Sequence, residues 1–433
     1  MILKLSIPMI IAMLSQSLMS LVDAALVGPI GKNALAVIGA GSSAMLVALA
    51  LIAGVSSGVQ AQVARRIGEG QHQQCAMPVN HGILIAFIFA LPLSILLVIE
   101  APLIIKAYTS DITISTAAIT YFQIRVMSLT AAVMNLSFRG YWNAIFKPHG
   151  FLKILLISHI LNAVTSYLLI YGKLGLPALG TNGAAVGTCL SMYLCTLLNI
   201  RSLRKTAKGH GLFTLWQNKK AFMRLINLAL PDSIQQTLFA VGIMLLYVVI
   251  AQLGTADMAI SHVLTTLSLL LILPGVGIGI STTTLVSQSL GANEPNGAWQ
   301  WGKDALLVTT ILLSLLGLPF ILEPAFFLSL FLHEPTLVAA GQLPLQLLTI
   351  GIILDTGALV LPQALLGSGA NKTVLYVRFF FQWVVLLPCC WLVGPVMGLG
   401  LSSILLVQIG QRLLSSLSFI YIWHRRKWAT VSI

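Results

Sequence analysis

The sequence predicts an all-α polytopic membrane protein with twelve transmembrane helices in two pseudo-symmetric six-helix lobes. Hydrophobic residues make up 58% of the 433 positions and charged residues only 8%, whereas soluble globular chains carry roughly 25% charged residues. The apolar runs exceed the roughly 20 residues that a helix needs to cross the hydrocarbon core. They also lack the strict polar alternation of barrel strands, so a helical bundle is expected.

Short stretches that are charged or rich in glycine and proline divide the chain into twelve apolar segments. The first is too long for a signal peptide and has no small-residue cleavage site after it, so we expect it to remain as a membrane helix. The predicted spans are 4–28, 36–64, 76–100, 113–145, 151–172, 177–200, 222–251, 258–289, 300–324, 337–366, 372–393 and 396–423.

An internal repeat with a constant offset (231 − 8 = 223) organises these segments. The repeated pairs are Pro8 and Pro231, Gly31 and Gly254, Ala36 and Ala259, Gly54 and Gly277, Val63 and Val286, and Gly68 and Gly291. The repeat predicts an N-terminal lobe, residues 1–207, and a C-terminal lobe, residues 208–433, joined by a basic stretch at 201–220. Six helices per half give parallel repeats, an arrangement typical of alternating-access transporters.

Basic residues predict the orientation, because Lys and Arg collect in cytoplasmic loops. One set of loops holds only Lys32, Lys106 and Lys173. The other set holds most of the remainder: Arg65, Arg66, Lys147, Lys153, Arg201, Arg204, Lys205, Lys208, Lys219, Lys220, Arg224, Lys303, Lys372, Arg425, Arg426 and Lys427. We therefore expect a multi-pass protein of the cell (inner) membrane with both termini in the cytoplasm. The net charge of +13 is attributed to this asymmetry and to anionic lipids, with no nucleic-acid partner.

Several function classes lack support in the sequence. The five cysteines show neither a disulfide framework nor a metal-ligand spacing. No phosphate-binding loop and no catalytic metal motif is present, so neither an enzyme nor a bound cofactor is predicted. Duplicated lobes without a ring of charged side chains also disfavour a passive channel. Transport would have to be driven by an ion gradient.

A single aspartate, Asp23, lies inside the first apolar segment, in MSLVDAALVG. Its repeat counterpart is Leu246, so the carboxylate belongs to one lobe and is not required by the shared fold. An acid inside a membrane is costly and is a functional candidate by default. Burial favours the protonated form, so a carboxyl that is neutral when sealed and ionised when wetted could carry a proton. The alternative is a protonated side chain held in a structural hydrogen bond.

Candidate partners lie in the fifth segment. Asn162 precedes Ser166 by one helical turn, which places the two on one face. The counterpart of Asn162 is Val385, so this polarity is also confined to the first lobe. An amide can interact with both protonation states of a carboxyl, although it can equally join two helices as a structural hydrogen bond. His159 is expected to be a packed, neutral residue. Pro8 should kink the first helix and supply a hinge.

A second acid, Asp355, lies within the tenth segment opposite Ala132 of the first lobe. It could be a second cation site, part of a substrate cavity or a member of a structural hydrogen-bond network. The remaining acids are expected at loops or helix ends as solvated carboxylates: Glu69, Glu100, Asp111, Asp232, Asp257, Glu294, Asp304, Glu323 and Glu334.

Taken together, several motifs resemble the multidrug and toxic compound extrusion (MATE) transporters, and the single first-lobe aspartate is most similar to the DinF-like branch. The motifs are P-x14-D followed by LVGPIGKNALAVIG, GVSSGVQAQVARRIGEG, GISTTTLVSQSLGAN and ALGTNGAAVGT. The resemblance implies a proton- or sodium-driven antiporter that exports amphipathic, often cationic drugs and dyes. It also implies a first-lobe cation site at Asp23 and Asn162, helix bending at Pro8 and a second-lobe acid at Asp355.

The chain departs from some DinF-like members, which carry an acid where this chain has Ser166. Sodium prefers several oxygen ligands, so the missing carboxylate favours proton coupling over sodium. The resemblance offers Thr188 as a further oxygen donor. A lipid or lipid-linked oligosaccharide flippase is the rival transport function, although few basic residues, mainly Arg125 and Arg139, lie inside the predicted spans. We expect a monomer whose partners are small drugs and membrane lipids.

Overall fold

The structure is a computed structural model that describes residues 1–109, 111–213, 219–332 and 334–431, except for the side chains of residues 255 and 256. Within these described residues, eleven helices are long and apolar enough to cross a membrane, and one pair bent by 45°, taken as a single span, makes twelve. The twelve predicted spans are therefore confirmed. They are α1 (Ile2–Val27), α2 (Lys32–Gly68), α3 (His72–Ile99), α4 (Ile112–Val126 followed by Leu129–Ala144), α5 (Pro148–Tyr171), α6 (Thr181–Thr206), α7 (Lys219–Ala251), α8 (Thr255–Gly291), α9 (Pro295–Leu322), α10 (Pro335–Ser368), α11 (Asn371–Val396) and α12 (Gly400–His424).

The helix bounds repeat at the offset found in the sequence. Helices α2 and α8 begin at residues 32 and 255 and end at residues 68 and 291. Two short helices, Ala101–Lys106 and Pro324–Ser329, correspond residue for residue. The glycines that precede α2 and α8, Gly31 and Gly254, have φ angles of 131° and 138°. Side chains with a β carbon rarely adopt such angles, so both turns require glycine.

Several spans are interrupted within their apolar length. Residues 51–54 form a turn inside α2, and α4 bends between Val126 and Leu129. Helix α10 breaks at Asp355, which ends one helical segment and precedes the next. By contrast, α1 and α7 are assigned as continuous helices that contain Pro8 and Pro231.

Contacts between residues divide the chain into two compact units. The first unit comprises Ile11–Ser233, and the second comprises Met1–Ile10 together with Ile234–Ile433. Both boundaries fall three residues after a repeat-related proline, Pro8 or Pro231. Each unit therefore includes the first part of a helix whose remainder lies in the other unit. The predicted lobes, 1–207 and 208–433, follow the sequence repeat and stay a prediction.

Each unit has an apolar interior. One cluster of buried residues runs through the first unit, and its largest fully buried side chains are Tyr141, Phe122 and Phe138. The second unit contains two clusters, one around Leu313 and Ile352 and the other around Phe419 and stacked tryptophans. Large apolar side chains are also exposed along the spans, as expected of surfaces that face lipid.

Candidate functional site

Asp23 lies in the last third of α1, within the first unit. Its side chain is half-buried, and its buried Oδ1 atom accepts no hydrogen bond from the described residues. The charge of Arg125, which lies near the end of the first segment of α4, acts on Asp23. The Nε atom of Arg125 is also buried and makes no hydrogen bond within the described part of the chain. The two opposite charges are therefore close enough to interact, and each side chain has a buried polar atom without a hydrogen bond among the described residues.

The sequence does not identify Arg125 as a partner of Asp23. It presents Arg125 only as one of the few basic residues inside a predicted span. Its position inside a span could have suggested an acidic partner, because an arginine inside a membrane commonly pairs with an acid or a backbone carbonyl. Cys189 of α6 also lies close to the Arg125 charge. The Arg125 charge therefore acts on one group of α1 and on one group of α6.

Asn162 and Ser166 form one polar pair on α5. The Ser166 hydroxyl donates to the Asn162 Oδ1 atom at 2.9 Å, and both residues are buried. Their spacing of one helical turn is what permits this bond. The amide oxygen of Asn162 is therefore already engaged by its own helix.

Close packing of α5 on α6 surrounds this pair. A β carbon at Gly187 would overlap the Ser166 side chain, and one at Gly183 would overlap the backbone at Leu169 and Ile170. Small residues four positions apart allow two membrane helices to approach closely. Thr188 is buried beside Gly187, where its hydroxyl donates to the Ala184 carbonyl at 2.9 Å. Its oxygen lone pairs remain the part that could accept a bond.

The predicted first-lobe residues therefore form two sets. Asn162, Ser166 and Thr188 lie at the α5–α6 contact, whereas Asp23 is associated with Arg125. No hydrogen bond between described residues joins Asp23 to Asn162. The described residues also contain no group of three or more His, Cys, Asp or Glu side chains that could hold a metal ion. Sodium would have to be bound by carbonyl and hydroxyl oxygens together with one carboxylate.

Asp355 occupies the break in α10 and has a partner. Its Oδ2 atom accepts a hydrogen bond from Arg412 of α12 at 2.9 Å, and the two side chains are largely buried. The charge of Arg378 on α11 also acts on Asp355, while its guanidinium donates to the Ala358 carbonyl at 3.1 Å. Of the three alternatives for Asp355, this ion pair favours the structural network.

Asp232 requires a correction. We expected a solvated carboxylate at a loop or helix end, but Asp232 lies within α7 with 3% of its surface exposed. It accepts a hydrogen bond from the Ser57 hydroxyl of α2. Position 232 already lies inside the predicted span 222–251, so the expectation of a solvated carboxylate was wrong because this face of α7 packs against α2.

Comparison with known proteins places these features in a family. The MatE family model matches residues 8–168 and again 231–392, so both matches begin at the repeat-related prolines. A relative from Pasteurella multocida (strain Pm70), described as "Probable multidrug resistance protein NorM", is 27% identical over 401 residues. That alignment covers 89% of this chain and 84% of the relative.

Two solved structures show the same fold over nearly the whole chain. One, described as MATE in the straight conformation, has a TM-score of 0.90 at 20% identity and covers 98% of this chain and 95% of that one. The other, MATE in the bent conformation, has a TM-score of 0.91 at 19% identity and covers 98% and 94%. The two conformations match almost equally well, so this likeness describes the fold and does not assign a transport state.

Proposed function

The chain belongs to the MATE family, and from that premise we propose that it is a secondary active multidrug exporter that exchanges drugs for a cation by alternating access. The expected substrates are amphipathic, often cationic compounds. The proposed location is the cell (inner) membrane, with both termini in the cytoplasm. We propose the proton as the coupling ion and a monomer as the working form.

One observation carries the choice of Asp23 as the coupling residue. Its buried Oδ1 atom accepts no hydrogen bond from the described residues, although Arg125 lies close enough to act on its charge. A buried acceptor without a hydrogen bond is costly. A bound proton or a cationic drug would satisfy this acceptor in another state of the protein. Asp355 is less suited to this role, because Arg412 already satisfies it.

The proposed cycle links the charge of Asp23 to drug release. From outside, a proton neutralises Asp23; α1 then bends at Pro8, the first-lobe cavity closes and the drug leaves outward. Return to the inward-open state exposes Asp23 to a more alkaline cytoplasm, where it loses the proton and can admit a new cation. Arg125 gives a reason for the release step. Once Asp23 is neutral, the remaining positive charge repels a cationic drug.

Energetics set an upper limit on such a cycle. Exchange of one proton for one monovalent cation is electroneutral, so only the pH difference drives it. Each pH unit supplies about 1.4 kcal/mol, which supports about a tenfold drug gradient.

Sodium coupling is the closest alternative, and Asn162, Ser166 and Thr188 would have to supply most of its oxygen ligands. A lipid or lipid-linked oligosaccharide flippase has less support. Arg125, Arg139 and Arg412 each lie near a carboxylate. A nearby carboxylate therefore partly compensates each of these positive charges, which makes a site for an anionic head group less favourable.

The test is uptake of a fluorescent cationic dye into proteoliposomes with an imposed pH gradient and no sodium. The parent should accumulate dye only with the gradient, and Asp23→Asn should abolish accumulation. Asp257→Asn is the matched control, because it removes a carboxylate at the first turn of α8 and should leave uptake unchanged. Uptake that requires a sodium gradient, or that survives Asp23→Asn, would overturn the assignment of the proton to Asp23.

A further inference from the structure

The start of α7 is held on α2 and α4 by a buried polar cluster within the first unit. We name this cluster the α7 latch and define it as Gly54, Ser56, Ser57, Arg139, Asp232 and Ser233. Helix α7 opens the second sequence repeat, whereas α2 and α4 belong to the first. The latch is thus a polar contact between the two repeats, and the cycle described above does not use it.

Hydrogen bonds define the latch from two directions. The Ser57 hydroxyl donates to the Asp232 carboxylate, and the backbone N–H of Gly54 donates to the Ser233 hydroxyl at 3.1 Å. Gly54 ends the turn that interrupts α2, so its N–H is available to a partner outside its own helix. A β carbon at Gly54 would overlap the Ala229 carbonyl of α7, which shows how closely the two backbones approach.

A cation completes the latch. The Nε atom of Arg139 in α4 donates to the Ser56 hydroxyl at 3.3 Å, and its charge acts on the Asp232 carboxylate. Asp232 lies 13 residues after Lys219, about 20 Å along α7 at 1.5 Å per residue. This depth is well within the hydrocarbon region of a membrane. Charges at such a depth are expensive and are kept where they have a function.

The same crossing in the second unit has neutral residues at the positions of the latch charges. There the start of α1 packs on α8, where Ser6 and Ser281 share a hydrogen bond of 2.7 Å and Gly277 packs against Ile10. The counterparts of Asp232 and Arg139 are Met9 and Pro362. The shared fold therefore forms this crossing without an ion pair, so the latch charges serve a purpose beyond folding.

We propose that Asp232 is a positioning residue that holds the start of α7 against the first repeat in one transport state and must release it for the other. This inference rests on the proposed alternating-access function. In this proposal, the start of α7 leaves α2 and α4 when the transporter opens at the end of the spans where the latch lies. The strength of the latch would then set the population of the state open at that end. Apparent affinity is reduced in proportion to the fraction of protein in the binding-competent state.

The test compares the parent with Asp232→Asn in nanodiscs and in inverted membrane vesicles that present the basic-loop face to the dye. Hydrogen exchange of residues 54–58 and 219–230 should quicken by about tenfold, because a hydrogen bond to a charged group is worth about an order of magnitude in an opening equilibrium. The KM for dye added to that face should fall, while kcat should change much less. Ser57→Ala, which removes one donor and leaves both charges, should shift both readouts in the same direction by a smaller amount.

Ser281→Ala is the matched control at the uncharged crossing and should change KM by less than about twofold. Unchanged hydrogen exchange in folded Asp232→Asn, or a KM that stays constant or rises, would overturn the proposed role of the latch. An equal KM shift in Ser281→Ala would overturn it too. The exchange measurement requires no transport, so it separates failure of the latch from failure of the proposed function. Asp23→Asn should abolish uptake and leave exchange at the latch unchanged.

Discussion

The two crossings at the starts of α1 and α7 have the same backbone arrangement and different chemistry. In both, a glycine of one repeat, Gly277 or Gly54, packs against the first helix of the other repeat close to its proline. One crossing is closed by neutral serine hydroxyls and the other by an acid and an arginine. The comparison teaches that duplication supplies the geometry, while substitutions in one copy supply the charge.

The largest expected effect comes from removing one charge of the latch. Arg139→Met leaves Asp232 buried without its cation, which typically costs about 3–5 kcal/mol. We expect a clear fall in the thermal unfolding temperature of the purified protein in detergent. The double variant Arg139→Met, Asp232→Leu should recover most of the loss. If the double variant is as unstable as the single one, Asp232 and Arg139 do not act as a pair.

Placing an acid in the uncharged crossing tests the comparison from the other side. Met9→Asp introduces a carboxylate at a buried position that corresponds to Asp232. The residue that corresponds to Arg139 in this crossing is Pro362, so the new acid has no matching cation. An uncompensated acid in a membrane costs about 2.5–3.5 kcal/mol on insertion scales. Thermal unfolding should therefore show strong destabilisation, with Met9→Leu as the control. A tolerated Met9→Asp would mean that the second crossing can accept charge after all.

A contrast in packing is also found between two glycines in the last helices of the repeats, Gly187 in α6 and Gly410 in α12. A β carbon at Gly187 would meet Ser166, whereas one at Gly410 would have no described neighbour within 4 Å. Gly187→Ala should cost about 1–3 kcal/mol by overpacking and should impair dye uptake. Gly410→Ala should be stabilising by about 0.5–1 kcal/mol, because alanine favours helix. Similar unfolding temperatures for the two variants would contradict the difference in packing.

The smallest effect is expected at the neutral hydroxyl pair. Ser6 and Ser281 have two hydroxyl protons for three bonds, because a carbonyl of its own helix also lies within reach of each hydroxyl. The serine that donates in the shared bond can turn back to its own helix, so losing that bond removes little. Ser281→Ala should cost about 0.5 kcal/mol, the usual value for such bonds in membrane proteins. A shift in unfolding temperature comparable to that of Arg139→Met would show that this crossing matters as much as the latch.

The fold could be predicted because its main signals are local or periodic. Apolar length identified the twelve spans, and the recurrence of Pro8, Gly31 and Gly54 identified the repeat. The interruptions at residues 51–54 and at Asp355 were not predicted. Hydropathy averages over a whole span, so it does not reveal a break inside one.

The candidate site was predictable only where its contacts are local in sequence. The spacing of Asn162 and Ser166 fixes their contact within one helix, and the structure contains the corresponding hydrogen bond. Arg125 and Arg412 were missed as partners of Asp23 and Asp355 because they lie on distant helices. Asp232 was misplaced although it lies inside the predicted span 222–251, because the sequence does not show which face of that span packs against another helix. Only the packing of α7 on α2 buries it.

The way the chain is shared between the two units also affects its biogenesis. Residues 1–10 are synthesised before residues 234–433 but form one unit with them, and Ser6 meets a partner 275 positions later. Contacts so distant in sequence form late, because a long loop must close first. The first helix is therefore expected to wait in the bilayer, incompletely packed, until most of the protein has been synthesised. An insertion chaperone would have the longest opportunity to act on that helix.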